Sequence, residues 1–163
     1  MTDEEFMSVA LTEAKKSINY GDIPVGAVIV KDNKIIAKAY NQKERKNSVI
    51  SHAEILAITK ASKKLKNYRL DGCTIYTTKE PCLMCMGVIL SSRISRIVYG
   101  AKDSRFGTEN LAKENNFNHT CEIKGKVLEE ECSELLTDFF KNLRSKNESS
   151  RKNKNNRKAS KNK

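Results

Sequence analysis

The sequence predicts an α/β domain in which a central sheet is covered by helices on both faces. Three observations carry this prediction. Strand-like runs alternate with helical periodicities along the chain. The helical stretches keep their apolar residues on single faces, as helices laid against a sheet must. The 163 residues, 38% of them hydrophobic, suffice for one domain with one substantial core.

Taken in order, residues 3–18 place Phe6, Val9, Ala10, Leu11 and Ala14 at helical spacing. YGDIP at 20–24 is a turn punctuated by glycine and proline. VGAVIVKDNKIIAKAY at 25–40 divides into two strand-like runs around Asp32-Asn33, which signals a hairpin. Residues 52–65 form a helix with Ala53, Leu56, Ala57, Ala61 and Leu65 near one face. CTIYTT at 73–78 concentrates β-branched and aromatic residues in a short strand. Pro81 then opens a helix, at a position where its missing N–H costs nothing. That helix ends near Ser91, and RISRIVYG at 93–100 reads as a strand. The polar segment 101–119 has room for a short helix at 108–115, and CEIKGKV at 121–127 supplies a last strand. From Glu129 to Arg144 an amphipathic helix is expected, because Leu128, Cys132, Leu135, Leu136, Phe139, Phe140 and Leu143 recur at i, i+3, i+4, i+7 and i+8. No internal repeat and no second domain is visible.

The net charge of +11 is unevenly placed. Residues 141–163 hold ten Lys or Arg and one acid, while the other 140 residues hold 21 bases and 19 acids. A folded domain over 1–144 and a basic, disordered tail over 145–163 follow, since the tail has almost nothing apolar to bury. Such a tail either solubilises the protein or holds a polyanion through phosphate contacts. No apolar run approaches membrane-spanning length, and MTDEEFMSVA opens acidic without the apolar core of a secretory signal. A cytoplasmic protein with reduced thiols is therefore expected.

Of the five cysteines, Cys73 and Cys132 lie on apolar faces and read as small buried hydrophobes. Cys82 and Cys85 alone have metal-ligand spacing. Two thiolates and the neutral imidazole of His52 sum to zero charge with Zn²⁺ and leave a fourth position for water, as catalytic sites do. His119, the other histidine, lies far from these segments, so a closed four-ligand site is not expected. A helix start favours thiolate over thiol at Cys82 and Cys85. Glu54 is the residue a purely structural zinc site would not need. Zinc can lower the pKa of water from about 15.7 towards roughly 7, and a neighbouring carboxylate can take that proton and deliver it elsewhere. Separately, H-A-E or C-L-M-C could be a surface accident or a redox pair. Together, with Pro81 immediately before Cys82, they spell H-x-E…P-C-x-x-C, the known signature of zinc deaminases.

The stretches IPVGAVIVKDNKIIAKAYN, SHAEILAI, NYRLDGCTIYTTKEPCLMCMGVILSSRISRIVYGAKD and NHTCEIKGKVLEEECSELLTDFF together resemble the bacterial tRNA-specific adenosine deaminases, within the cytidine deaminase superfamily. The resemblance runs from about residue 5 to 144. It implies a three-layer α/β/α sandwich of the cytidine deaminase type, with a mixed sheet of about five strands. It implies one Zn²⁺ per subunit on His52, Cys82 and Cys85, with Glu54 as proton shuttle. It implies conversion of the wobble adenosine of a tRNA anticodon to inosine, by a homodimer that binds the anticodon stem-loop. Asn41 matches the family's base-contacting asparagine, against the alternative of a turn residue. Asp103 matches a position near the substrate ribose, against that of a turn cap. Phe140, Lys141 and Arg144 fall in the family's RNA-contacting C-terminal helix, although the phenylalanine also fits the apolar stripe. SRFGTENLAKENNF, after GAKD, departs from the family's Gly- and Ala-rich loop and bears on RNA preference rather than on the zinc chemistry. Three rivals remain: a deaminase of free guanine- or cytosine-type bases or nucleosides, a zinc-stabilised RNA-binding module without catalysis, and a subunit of a larger editing complex.

Overall fold

The computed structural model describes residues 1–114 and 117–161. Helix α1 spans Asp3–Ile18 and begins with a capping box, in which Thr2 Oγ1 accepts from the Glu5 amide and Glu5 Oε2 accepts from the Thr2 amide. Strands β1 (Gly26–Lys31) and β2 (Lys34–Tyr40) form the expected hairpin. Its two-residue turn sets Asp32 and Asn33 at φ 49° and 59°, the left-handed pair that a tight hairpin requires. Helix α2 (Lys43–Lys46) follows, then α3 (Ala53–Leu65), β3 (Cys73–Lys79), α4 (Leu83–Ser91) and β4 (Arg96–Ala101). The chain ends with α5 (Glu109–Glu114), β5 (Glu122–Lys124) and α6 (Glu129–Lys161).

The five strands form one sheet in the order β2-β1-β3-β4-β5. β1 runs antiparallel to both neighbours, while β3, β4 and β5 are parallel. The sheet is mixed and covered on both faces, as expected. Strands buried on both sides need apolar residues at successive positions rather than alternate ones. In β1, Ala27 and Ile29 pack into one core with α3 and α4, while Val28 and Val30 pack into the other with α1 and the start of α6. Ile75 and Tyr76, and likewise Ile97 and Val98, divide in the same way. Asp3 pins α1 across the second face, accepting from the Tyr76 hydroxyl, the Arg96 guanidinium and the Lys124 ammonium. The hydrogen-bonded Arg96 guanidinium, above all, holds the Asp3 carboxyl well below the usual carboxylate range.

Close packing of α1 on β1 depends on Gly26. A Cβ there would lie 2.0 Å from the Ala10 carbonyl oxygen and 2.6 Å from the Ala14 nitrogen, both main-chain atoms that cannot step aside. Gly26→Ala is expected to cost about 3 kcal/mol through forced separation of helix and strand. A fall in melting temperature of roughly 6–12 °C would follow for a chain of this size, measurable by circular dichroism.

Four boundaries differ from the sequence expectation, each for a local reason. α4 begins at Leu83 with Cys82 as its cap, so Pro81 precedes the helix, and its carbonyl accepts from Thr108 Oγ1 instead. β4 begins at Arg96 rather than at 93, because Arg93 takes a left-handed φ of 62° just past the end of α4. β5 is only three residues long, since Lys126 and Leu128 are also left-handed. α6, expected to end near Arg144 before a disordered tail, runs on to Lys161, with residues 145–161 helical and exposed. No glycine or proline follows Gly125, and once the first turns are packed each further residue adds a helical hydrogen bond at little cost. Asn162 and Lys163 of the tail, and Asn115 of the expected 108–115 helix, lie outside the described residues.

Candidate active site

Because β1 opposes both β2 and β3, strands β2, β3 and β4 all point their carboxyl ends to one edge of the sheet. The loops leaving that edge carry Asn41 after β2, Glu80 and Cys82 after β3, and Asp103 after β4. His52 and Cys82 are the N-cap residues of α3 and α4, and neither side chain caps its own helix. Serine, threonine, aspartate or asparagine at such a position typically stabilises a helix by about 1 kcal/mol. Here that contribution is forgone, and the two side chains turn to face each other.

His52 Nδ1 lies 3.7 Å from Cys82 Sγ and 3.5 Å from Cys85 Sγ, and the three ligand atoms lie within 4.8 Å of one another. For zinc–sulfur and zinc–nitrogen bonds of about 2.3 and 2.0–2.1 Å at a tetrahedral angle, the sulfur–nitrogen separation comes to roughly 3.6 Å. The donor set fits a single ion of that kind. No other such cluster occurs among the described residues, and His119 is elsewhere, its Nε2 2.7 Å from the Ile94 carbonyl oxygen.

The electrostatics of the cluster follow from its hydrogen bonds. The Cys85 thiol, and then His52, hold Cys82 as a thiolate with its pKa lowered to about 3. The same bond to Cys82, together with burial, keeps the proton on Cys85 and pushes its pKa up. The Cys82 hydrogen bond also raises His52. Both shifts favour the protonated forms of His52 and Cys85, and cation binding would work against them.

Glu54 sits in the first turn of α3, buried beside the cluster. Its Oε2 lies 3.5 Å from Cys85 Sγ, and its Oε1 lies 3.1 Å from the Thr77 hydroxyl. That hydroxyl is also 3.1 Å from the Lys79 carbonyl oxygen. Its single proton can go to an ionised Glu54; when Glu54 is protonated, the hydroxyl can turn to Lys79 and accept from the acid instead. Both protonation states of Glu54 thus keep a partner. Burial, the largest influence, raises the Glu54 pKa above its ordinary carboxylate value.

A cavity of about 220 Å³ opens on the cluster and is lined by His52, Glu54 and Cys82 together with Asn41, Lys43 and Asp103. Asn41 is held by two main-chain bonds: its Nδ2 donates to the Ile23 carbonyl, and its Oδ1 accepts from the Lys43 amide. One further donor and one further acceptor site remain on the amide. Asp103 lines the cavity and also caps a turn, its Oδ1 accepting from the Arg105 and Phe106 amides and its Oδ2 pairing with Lys79 at 3.0 Å. Burial would raise its pKa, but these bonds, from Phe106 and Lys79 foremost, outweigh burial and lower it. Phe140, Lys141 and Arg144 do not reach the cavity; they lie on α6, with the Phe140 ring edge-on to Phe139.

Two contributors escaped the sequence reading. Glu80, buried beside the motif, accepts from the Asp103 amide through Oε1 and from the Glu109 amide through Oε2, which ties the loop after β4 to the cysteine segment. A carboxylate directly before Pro81 was the available signal. Lys43 supplies a cation at the cavity wall from α2, which the sequence reading did not foresee. That helix is capped from afar by Asp22, whose carboxylate accepts from the Glu44 and Arg45 amides.

Residues 1–101 match the family profile of the cytidine and deoxycytidylate deaminase zinc-binding region. The chain is 45% identical over 155 residues to the tRNA-specific adenosine deaminase of Bacillus subtilis (strain 168), covering 93% of this chain and 96% of that protein. The chain belongs to the tRNA-specific adenosine deaminase family. Among solved structures, one from studies of A-to-I editing by tRNA:A34 deaminases at the wobble position of transfer RNA superposes on this deaminase-family chain with TM-score 0.78. The identity there is 35%, covering 81% of this chain and 99% of that one. A guanine deaminase from Bacillus subtilis superposes with TM-score 0.61 at 37% identity, covering 75% of this chain and 83% of the other. The five-stranded mixed sheet with its flanking helices is thus the deaminase fold.

Proposed function

We propose that this protein carries out the zinc-dependent hydrolytic deamination of adenosine to inosine at the wobble position of a tRNA anticodon. The observation that carries this reading is a three-donor cluster of His52, Cys82 and Cys85 touched by a buried Glu54 at the floor of an open cavity. The family places the substrate in tRNA.

Zinc held by those three residues supplies the Lewis acidity that makes water a nucleophile near neutral pH. Glu54 takes a proton as water adds to C6 of the purine and returns it to the departing amino group, so adenosine and water yield inosine and ammonia. Asn41, fixed by main chain on both sides, presents its remaining donor and acceptor to the edge of the extruded base. Lys43 gives the cavity wall positive charge suited to the nucleotide's phosphates, whereas the charge of Lys79 is met by Asp103. Asp103 fixes the loop after β4 that borders the ribose. Anticodon-loop bases are only partly stacked, so extrusion costs a few kcal/mol at most. The active form is a homodimer, supported by the exposed apolar side chains of Val49, Ile50 and Leu83 flanking the ligand segments. Its setting is the cytoplasm, where the cluster's thiols stay reduced.

The test is to incubate the zinc-loaded protein with unmodified tRNA carrying adenosine at the wobble position and read the product by sequencing, with free guanine, cytosine and adenosine in parallel. Wobble adenosine read as guanosine is the expected outcome. Ammonia release from a free base with no change in tRNA would overturn the reading. Metal uptake has its own signature. His52 and Cys85 both carry raised pKa values and must lose protons to bind a cation. Zinc loading of the apo-protein is therefore expected to release protons, and zinc affinity to fall as pH drops from about 8 to 6, as measured with a chromophoric chelator.

A further inference from the structure

Past Leu143 the last helix runs clear of the domain, with every residue to Lys161 exposed. Residues 145–161 carry seven Lys or Arg against the single acid Glu148. At 1.5 Å per residue this makes a rod about 25 Å long. Helical spacing divides its surface. Arg151, Lys154, Lys158 and Lys161 share one side, while Lys146, Lys152 and Arg157 are spread around the rest of the rod. None of the cations on this rod forms an ion pair among the described residues. Like charges three and four residues apart repel, so the rod holds uncompensated positive charge along its length, densest on the side of Arg151, Lys154, Lys158 and Lys161. Its occupant is narrowed by what the rod lacks. Ala159 is the only apolar residue, which leaves no stripe to enter a lipid interface and no seam for a partner helix. A row of cations with hydrogen-bonding neighbours and no apolar face complements a phosphate backbone.

We infer that α6 beyond residue 144 is an RNA-docking rod that lies along the phosphate backbone of the substrate tRNA, outside the base-binding cavity. The identity of the RNA rests on the deaminase reading; the contact itself is measured without turnover. The experiment compares the full chain with a variant carrying Arg151→Gln, Lys154→Gln, Lys158→Gln and Lys161→Gln, which keeps helix-forming side chains in place. A chain ending at Arg144 serves as the second variant. Equilibrium binding of unmodified tRNA is followed across about 50 to 300 mM potassium chloride. Four lost phosphate contacts are expected to flatten the slope of log affinity against log salt by about 3 and to weaken binding at least tenfold at the low-salt end. Hydrogen exchange of the 145–161 amides in the full chain should slow when tRNA is added. Coincident binding curves and slopes for all three proteins would overturn the inference. So would retention of the rod on anionic phospholipid vesicles without any effect of the variants on tRNA. A flattened slope in a protein that makes no inosine would leave the docking rod standing and remove the deaminase reading alone.

Discussion

Glu54→Gln is expected to abolish turnover while leaving both metal and fold in place. The substitution keeps the shape of the side chain and its contact with Thr77, and removes only the capacity to take up and release a proton. General acid–base catalysis of this kind contributes about 10²–10⁴ in rate, and here one group serves both water and leaving amine, so the upper end is expected. The fold should tolerate it. A buried carboxyl whose pKa is raised by burial gains from becoming a neutral amide of equal volume. Wobble inosine measured by sequencing should fall to background while zinc content by elemental analysis stays near one per chain and the melting temperature is unchanged or higher. Full turnover by a zinc-replete Glu54→Gln protein would remove Glu54 from the chemistry.

Cys85→Ala should be the most damaging single change, because Cys85 serves three parties. It is fully buried, it is one of three candidate ligands, and it contacts both His52 and Glu54. Two remaining donors cannot hold zinc at the affinity of three, so elemental analysis should find little or no metal and activity should vanish with it. Part of the free energy of metal binding is also free energy of folding, so the variant should melt below the zinc-loaded parent and close to the parent stripped by chelator. A Cys85→Ala protein that retains one zinc per chain would dismiss the proposed ligand set.

Most of the sheet was legible because its strands are short, apolar and separated by glycine, proline or Asp-Asn turns. The three-donor cluster was legible because its chemistry is written in residue types: a histidine two positions before a glutamate, and the only closely spaced cysteines. Boundaries were less so. Arg93, Lys126 and Leu128 adopt left-handed backbone that no propensity scale assigns to arginine, lysine or leucine, and each shortens an adjoining strand. Helix α2 depends on Asp22, more than twenty positions away, for its cap. Glu80 organises the loop after β4 through main-chain amides, and such bonds leave no mark in side-chain patterns. The tail misled in a different way. Composition showed that it has nothing to bury, but helix propagation from a packed start needs no burial of its own.

The reversal of β1 between β2 and β3 governs how the rim of the cavity is assembled. It lets three connectors far apart in sequence meet at one edge of the sheet. The three-donor cluster and Glu54 stand on the segments after β2 and β3, whereas the segment after β4 is held against them through Glu80 and the close approach of Gly107. Substitutions in that connector that leave the Glu80 clasp intact are therefore expected to reshape the cavity rim without disturbing the donor cluster.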